Sequence, residues 1–371
     1  MNSPLRIALV HDYLREYGGA ERVIESLHAL FPDAPLYTAF VDKEALGIHW
    51  QRFADWEIHE SIAAKIPFIK KIYSPLRVLS AFFFETFDLS SYDVVISSTN
   101  MYMAKAVLTR ADAIHICYCH TPPRSLYGYT TMTNWKKNPL MRVVGELINF
   151  KMRQIDFLTA QRPTVFVANS NEVAARIQKF YRRDSVVIYP PVSVGDVPSL
   201  STKKSSPYFL YVNRLAFAKH PELAVAAASK LGVALKVVGM GSMFEQLKAS
   251  AGPTVEMLGA VDDQTLRSLY AGATALLYPV EDEDFGIVPV ESMMFGVPVI
   301  AHRSGGPKET ILDGKTGVFF DELTVDSLVD AMKRFQKLTF KESALKEQAA
   351  KFSTDVFHKK MLALVKKLTT K

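Results

Sequence analysis

Ile7-Ala8-Leu9-Val10-His11-Asp12, followed by Tyr17-Gly18-Gly19-Ala20-Glu21-Arg22-Val23, is the stretch on which the fold turns. The apolar run Ile7–Val10 is too short for a helix and suits a buried strand. Beyond the two glycines the apolar period changes, and Val23, Ile24, Leu27 and Leu30 fall on one face of a helix. Strand, glycine turn and helix together open a βαβ unit.

Working outward, the same alternation continues almost throughout. Strands are expected at Ile7–Val10, Leu36–Phe40, Val94–Ser97, Ile114–Tyr118, Thr164–Val167 and Val186–Ile188. A second series runs through Tyr208–Val212, Ala234–Val238, Ala275–Tyr278, Val297–Ala301 and Val318–Phe320, separated by helical patterns such as Pro221–Leu231 and Leu323–Phe335. Between the series, Pro190-Pro191-Val192 leads into a Ser, Pro and Lys mixture ending at Pro207, which has turn chemistry and little to bury. The expectation is an α/β chain of two Rossmann-like, doubly wound parallel sheets. Its parts are an N-terminal domain over 1–190, a linker over 191–207, a C-terminal domain over 208–354, and a terminal helix over 355–371 returning to the first domain. In such sheets ligands sit at the carboxyl ends of the strands, so the two domains are expected to face a cleft.

Composition agrees with two packed cores: 371 residues, 49% hydrophobic and 22% charged. The apolar run at the start is too short for a secretory signal, and no uncharged apolar stretch of about 20 residues exists to span a bilayer. A cytoplasmic protein, peripheral on the inner face of the membrane, is the expected placement. Cys117 and Cys119 alternate along one strand, and residues two apart in a strand rarely have the geometry for a bridge. A net charge of +6 leaves nucleic acid, anionic lipid and phosphorylated small molecules as partners. Nucleic acid is disfavoured because the basic residues lie in apolar helices, not on an aromatic platform.

Four constellations can carry chemistry. Gly18-Gly19 before a helix lets backbone N–H groups approach an anion, or serves a turn needing positive φ. Asn213-Arg214-Leu215 to Lys219 follows a strand, where an arginine fork and a lysine charge can neutralise a diphosphate or simply face solvent. Glu283-Asp284-Phe285-Gly286-Ile287-Val288-Pro289-Val290-Glu291 places two carboxylates around a glycine-bearing loop, each able to accept paired sugar hydroxyls. Pro289 in a first helical turn would set Glu291 near the helix N-terminus, where it can instead oppose the macrodipole. The acidic run Glu281–Asp284 reads as a loop or as a divalent-metal site, with Arg214 and Lys219 favouring the metal-free reading. His115, Cys117 and Cys119 share a strand face but stand about 7 Å apart at successive Cα atoms, awkward for zinc. His120 leaves that strand beside Pro122-Pro123, as a cleft residue or as a core histidine. Finally, Ile62–Phe87 and Trp135–Arg153 mix Lys65, Lys70, Lys71, Arg77, Lys136, Lys137, Arg142, Lys151 and Arg153 with aromatic and aliphatic residues. They suit contact with an anionic membrane, or ordinary packing.

Taken together, these residues make the chain resemble glycosyltransferase family 4, the retaining GT-B enzymes. The resemblance rests on the E-x7-E element Glu283–Glu291, the following Met-Phe-Gly-Val-Pro-Val-Ile, and Ser304-Gly305-Gly306-Pro307-Lys308-Glu309. The N-terminal glycine motif and His120-Thr121-Pro122-Pro123-Arg124 are similar to bacterial GDP-mannose-dependent mannosyltransferases of O-antigen and exopolysaccharide assembly. By resemblance, Arg214 and Lys219 hold the donor diphosphate, and Glu291 the ribose. Glu283, with Asp284 and the backbone of Phe285, Gly286 and Ile287, holds the transferred sugar. His120 contacts that sugar or the charge developing near its anomeric carbon, and Gly18 and Gly19 lie near the diphosphate and acceptor. The resemblance implies a metal-independent retaining hexosyltransferase without a cofactor, using GDP-mannose and a polyprenyl-diphosphate-linked saccharide. Asn213 and Asp284 stand where many relatives carry glycine, and Asp284 bears on the donor sugar. A UDP-sugar-dependent transferase, a sugar-nucleotide epimerase or phosphorylase of the same fold, and a catalytically silent membrane scaffold are the alternatives.

Overall fold

The computed structural model describes residues 5–132, 137–193 and 207–370. Of the expected linker, residues 194–206 lie outside the described residues, as do Trp135 and Lys136. The chain forms two compact units. The first comprises the described residues up to Tyr129, those of 137–191, and 354–370; the second comprises 130–132 and the described residues of 192–353.

In the first unit, seven parallel strands follow the chain: β1 Ile7–His11, β2 Leu36–Thr38, β3 Ile58–Glu60, β4 Val94–Thr99, β5 Ile114–Cys119, β6 Val165–Ala168 and β7 Ser185–Val187. Their spatial order is β3-β2-β1-β4-β5-β6-β7. The second unit has six: β8 Phe209–Val212, β9 Leu235–Val238, β10 Val255–Gly259, β11 Ala275–Tyr278, β12 Val299–His302 and β13 Gly317–Phe320, in the order β10-β9-β8-β11-β12-β13. The two Rossmann-like sheets of the GT-B architecture are therefore present.

The central strands β4 and β11 are buried along their whole length, because helices cover both faces of a parallel sheet. That is why they read as unbroken apolar or small-residue runs. Two edge strands carry no such signal: β3 is Ile58-His59-Glu60, half-exposed to exposed, and β10 is Val255-Glu256-Met257-Leu258-Gly259 with an irregular register. Neither was expected, since an edge strand with water on one side needs no apolar run.

The terminal helix Thr354–Thr369 belongs to the first unit, where Phe357, Met361, Leu364 and Val365 enter the cluster of Leu9, Val23, Ile24 and Leu27. Ser26 Oγ lies 2.8 Å from His358 Nε2 beneath that contact. The order of each sheet reverses at one place, between β1 and β4 and between β8 and β11. Polar groups leaving those strand ends meet in the crevice that such a reversal opens.

Candidate functional site

At the reversal point of the second unit, the chain leaves β8 through Asn213 and Arg214. Asn213 turns its Oδ1 onto the Arg214 N–H at 3.0 Å, and Arg214 is exposed. Five residues on, a short 3₁₀ turn, Phe217–Lys219, carries Lys219 inward, and its carbonyl accepts the Tyr211 hydroxyl at 3.0 Å. From β11, the chain brings Tyr278 and Glu283 to the same place. Lys219 Nζ lies 2.5 Å from Glu283 Oε2, and the Tyr278 hydroxyl donates to that oxygen at 2.8 Å. Burial, and then the Glu283 charge, push the Tyr278 hydroxyl well above its ordinary pKa, so it stays a donor. The cation expected at the diphosphate and the carboxylate expected at the transferred sugar are thus each other's partners, 11% and 12% exposed.

Glycines shape the loop around Glu283. Gly305, at φ +61°, sits so close to the Glu283 backbone that a Cβ would fall 2.2 Å from its carbonyl oxygen. A Cβ on Gly306 would fall 2.4 Å from Phe285 Cα, and the Gly306 N–H donates to the Glu283 carbonyl at 2.7 Å. Ser304 Oγ accepts from the Asp282 N–H at 2.9 Å. The Ser304–Pro307 turn therefore clamps the acidic loop by its backbone. Phe285 is buried against Phe352, with ring centroids 5.4 Å apart, so only its backbone is available to a ligand.

Gly286, at φ +87°, caps the helix Ile287–Met294. Pro289 is the third residue of that helix and Glu291 the fifth, so Glu291 lies in the second turn, deeper than its spacing from Pro289 suggested. It is buried and accepts the Tyr270 hydroxyl at 3.1 Å on Oε2, while Tyr270 stacks on Phe295 at 5.4 Å. A macrodipole role loses force at that depth, and a carboxylate oriented by a tyrosine suits hydroxyl recognition. Asp284 is half-buried, its N–H donating to Glu283 Oε1 at 3.3 Å.

The first unit builds a second polar group at its own reversal point. Parallel register sets His11 of β1 beside Ser98 of β4. Ser98 Oγ lies 3.1 Å from His11 Nδ1 and 2.8 Å from His120 Nε2. His11 Nε2 lies 3.4 Å from Glu21 Oε1, and Glu21 Oε2 accepts the Gly18 N–H at 2.8 Å. Burial, helped by His11, pushes His120 down to about 4, so it is neutral at physiological pH. Gly18 has φ −136° and Gly19 begins the helix Gly19–Leu30, so the pair does not serve a positive-φ turn.

Beside this group, Asp12 accepts the N–H groups of Asn100, Met101, Tyr102 and Ala104, each at 2.8 Å, and the Thr99 hydroxyl at 3.0 Å. One buried carboxylate thus fixes the whole turn after β4. The next residue, Lys105, is buried with Asp156 at 2.6 Å, and Tyr127 and Tyr181 donate to the same carboxylate at 2.7 and 3.2 Å. Cys117 and Cys119 are buried thiols, and burial pushes Cys117 up to about 12. His115 is pushed down to about 3 by burial and lies 2.8 Å from Ser97 Oγ, a core position.

The basic apolar segments divide. Arg77 turns inward onto Ser125 and Asn149, both at 3.1 Å, and Phe83 and Phe84 are core residues, so much of Ile62–Phe87 is packing. The helix Pro139–Thr159 differs. Val143, Leu147, Phe150 and Leu158 lie along one side, each at least 60% exposed, with Arg142 and Lys151 also outward. No helix among the described residues is long and apolar enough to cross a membrane.

Residues 196–352 match the family model described as Glycosyl transferases group 1. The described part of that matched stretch lies in the second unit. It contains Arg214, Lys219, Glu283 and Glu291 together with the Ser304–Pro307 turn. The chain is also similar to glycogen synthase of Thermus thermophilus, 32% identical over 155 residues, which are 40% of this chain and 36% of that enzyme. This chain thus aligns with about a third of that relative's length. Over nearly the whole chain there is similarity to alpha-1,3/1,6-mannosyltransferase ALG2 of Mus musculus, 26% identical across 95% of this chain and 94% of the mouse protein. In three dimensions the chain is similar to HepE of Anabaena solved with UDP and glucose. The TM-score is 0.68 at 16% identity, over 98% of this chain and 99% of that one, which supports the GT-B fold beyond the group 1 segment.

Sequence reading missed His11, Asp12, Ser98, Tyr270 and Tyr278 as site residues. His11 and Asp12 carried a signal, two polar residues at the carboxyl end of the first strand. Ser98, Tyr270 and Tyr278 carried none, since their roles depend on strand register and on the partner each side chain meets.

Proposed function

We propose that the chain is a retaining hexosyltransferase that moves mannose from GDP-mannose onto a lipid-linked saccharide at an anionic membrane surface in bacterial surface polysaccharide synthesis. The observation that carries this is the Lys219–Glu283–Tyr278 cluster at the β8/β11 reversal. A cation there can meet a diphosphate, and a clamped carboxylate beside it can meet sugar hydroxyls. Arg214 and Lys219 neutralise the charge that develops as the diphosphate departs, the term expected to contribute most to the rate. Glu291, oriented by Tyr270, takes the ribose hydroxyls.

In the reaction the bond between the sugar's anomeric carbon and the diphosphate oxygen breaks, and the acceptor oxygen bonds to that carbon on the same face. The acceptor's proton passes to the departing phosphate oxygen, so no metal or cofactor is required. Mannose as the transferred sugar is favoured by the nearly full-length similarity to ALG2, a mannosyltransferase by name. The exposed apolar stripe of the helix Pro139–Thr159, flanked by Arg142 and Lys151, is the surface for a peripheral seat on the inner face of the cytoplasmic membrane.

Calorimetric titration with GDP and GDP-mannose tests the donor site. Wild type should bind both, Arg214→Ala should bind each at least tenfold more weakly, and Glu291→Gln should lose affinity for GDP with the fold kept. Equal affinity in all three proteins would remove the proposed donor site. A UDP-sugar donor would appear as binding of UDP in place of GDP.

A further inference from the structure

Glu21, His11, Ser98 and His120 form a continuous buried hydrogen-bonded chain whose two ends differ in kind. Glu21 is the third residue of its helix, and its Oε2 accepts the Gly18 N–H at 2.8 Å, as a helix-capping carboxylate does. Capping needs one oxygen only. The other, Oε1, lies 3.4 Å from His11 Nε2, with Glu21 5% and His11 2% exposed. We propose that Glu21, through His11 and Ser98, is a positioning residue that holds His120 in its Nε2–H tautomer, leaving Nδ1 as a hydrogen-bond acceptor.

The direction follows from counting protons. A carboxylate only accepts, so a neutral His11 must donate from Nε2 and carry its lone pair on Nδ1. Nδ1 then accepts the single Ser98 hydroxyl proton across 3.1 Å. With that proton committed, Ser98 Oγ can only accept from His120 Nε2 at 2.8 Å. The proton on His120 is therefore set by a carboxylate three hydrogen bonds away. Its value to catalysis rests on the reading of His120 as a residue that contacts the transferred sugar. An imidazole offering Nδ1 takes a hydroxyl proton of a sugar, and the other tautomer does not.

Glu21→Gln inverts this logic without changing shape. The Gly18 N–H still requires an acceptor, so the amide oxygen faces Gly18 and the NH₂ group faces His11. His11 Nε2 must then accept, His11 Nδ1 must donate to Ser98, and Ser98 must donate to His120 Nε2. His120 swaps to the Nδ1–H tautomer. Ser98→Ala removes the bridge and should leave His120 in a mixture of tautomers.

The test is nitrogen NMR of the full chain with 15N-labelled histidine at pH 8, the His120 signals being assigned by their loss in His120→Asn. The expected result is a protonated Nε2 and bare Nδ1 in wild type, the reverse in Glu21→Gln, and averaged signals in Ser98→Ala. An Nδ1–H or doubly protonated His120 in wild type, or a tautomer untouched by Glu21→Gln, overturns the proposal. If Glu21→Gln does not fold, Ser98→Ala decides by itself: an unaveraged His120 overturns it. Rate measurements keep the two readings apart. A tautomer swap with about a tenfold fall in kcat/KM supports both, whereas a swap with unchanged kcat/KM leaves the relay standing and removes His120 from contact with substrate.

Discussion

Replacing Lys219 by Met keeps an unbranched apolar stem one atom shorter and removes the charge, which separates two jobs that Lys219 performs. Lys219 and Glu283 are 11% and 12% exposed and 2.5 Å apart, so Lys219→Met strands a carboxylate close to the protein interior. Breaking a fully buried pair costs about 3–5 kcal/mol. Here Tyr278 still donates to Glu283 at 2.8 Å and some water reaches the site, so about 2–3 kcal/mol is expected. For a unit of this size that lowers the calorimetric transition containing it by about 5–10 °C. The double variant Lys219→Met/Glu283→Gln removes both charges and should recover about 2 kcal/mol of that loss. Turnover should not recover, because the cation opposite the departing diphosphate is still missing, at a cost of about a hundredfold in kcat or more. Calorimetry and initial rates on the three proteins suffice. Wild-type stability and rate in Lys219→Met would refute the reasoning, as would a double variant that regains activity along with stability.

Three further outcomes follow from the same geometry. Gly305→Ala should destabilise the second unit by about 2–4 kcal/mol, since its Cβ meets the Glu283 carbonyl at 2.2 Å; Gly314→Ala, at φ +73° with nothing within 4 Å, should cost only about 1 kcal/mol by urea denaturation. Burial holds His115 down to about 3 and His120 to about 4, whereas the unfolded chain takes each proton near 6.5. Their contribution is complete above pH 6.5 and falls with pH, by about 4 kcal/mol for both between pH 7.5 and 5, and His115→Asn should roughly halve that slope. Leu147→Glu/Phe150→Glu should reduce sedimentation with phosphatidylglycerol vesicles about tenfold without altering GDP affinity, and unchanged sedimentation would remove the helix Pro139–Thr159 from the membrane surface.

Much of the fold is legible because a parallel strand buried on both faces must be apolar or small along its length. Ile7–Val10, Val94–Ser97 and Ala275–Tyr278 announced themselves in that way. Ile58–Glu60 and Val255–Gly259 did not, because edge strands are exempt from that demand. Glycine loops and paired glutamates were readable as chemistry, since residue type and spacing limit what they can do. Partnership was not. Nothing local says that Lys219 meets Glu283, or that Ser98 bridges two histidines 22 and 87 residues away; both follow from which strand ends a parallel sheet brings side by side. The inward turn of Arg77 has the same origin, for a basic residue in an apolar helix looks alike from sequence whether it faces lipid or a buried asparagine.

A panel of nucleotide sugars, incubated with the full chain and read by release of nucleotide diphosphate, tests the glycosyl-transfer reading most directly. Run with and without an extracted polyprenyl-linked saccharide, it should show GDP appearing from GDP-mannose only when the acceptor is present, with the product keeping the donor's anomeric configuration. Release from no donor, release that ignores the acceptor, or an Arg214→Ala protein as fast as wild type would contradict it.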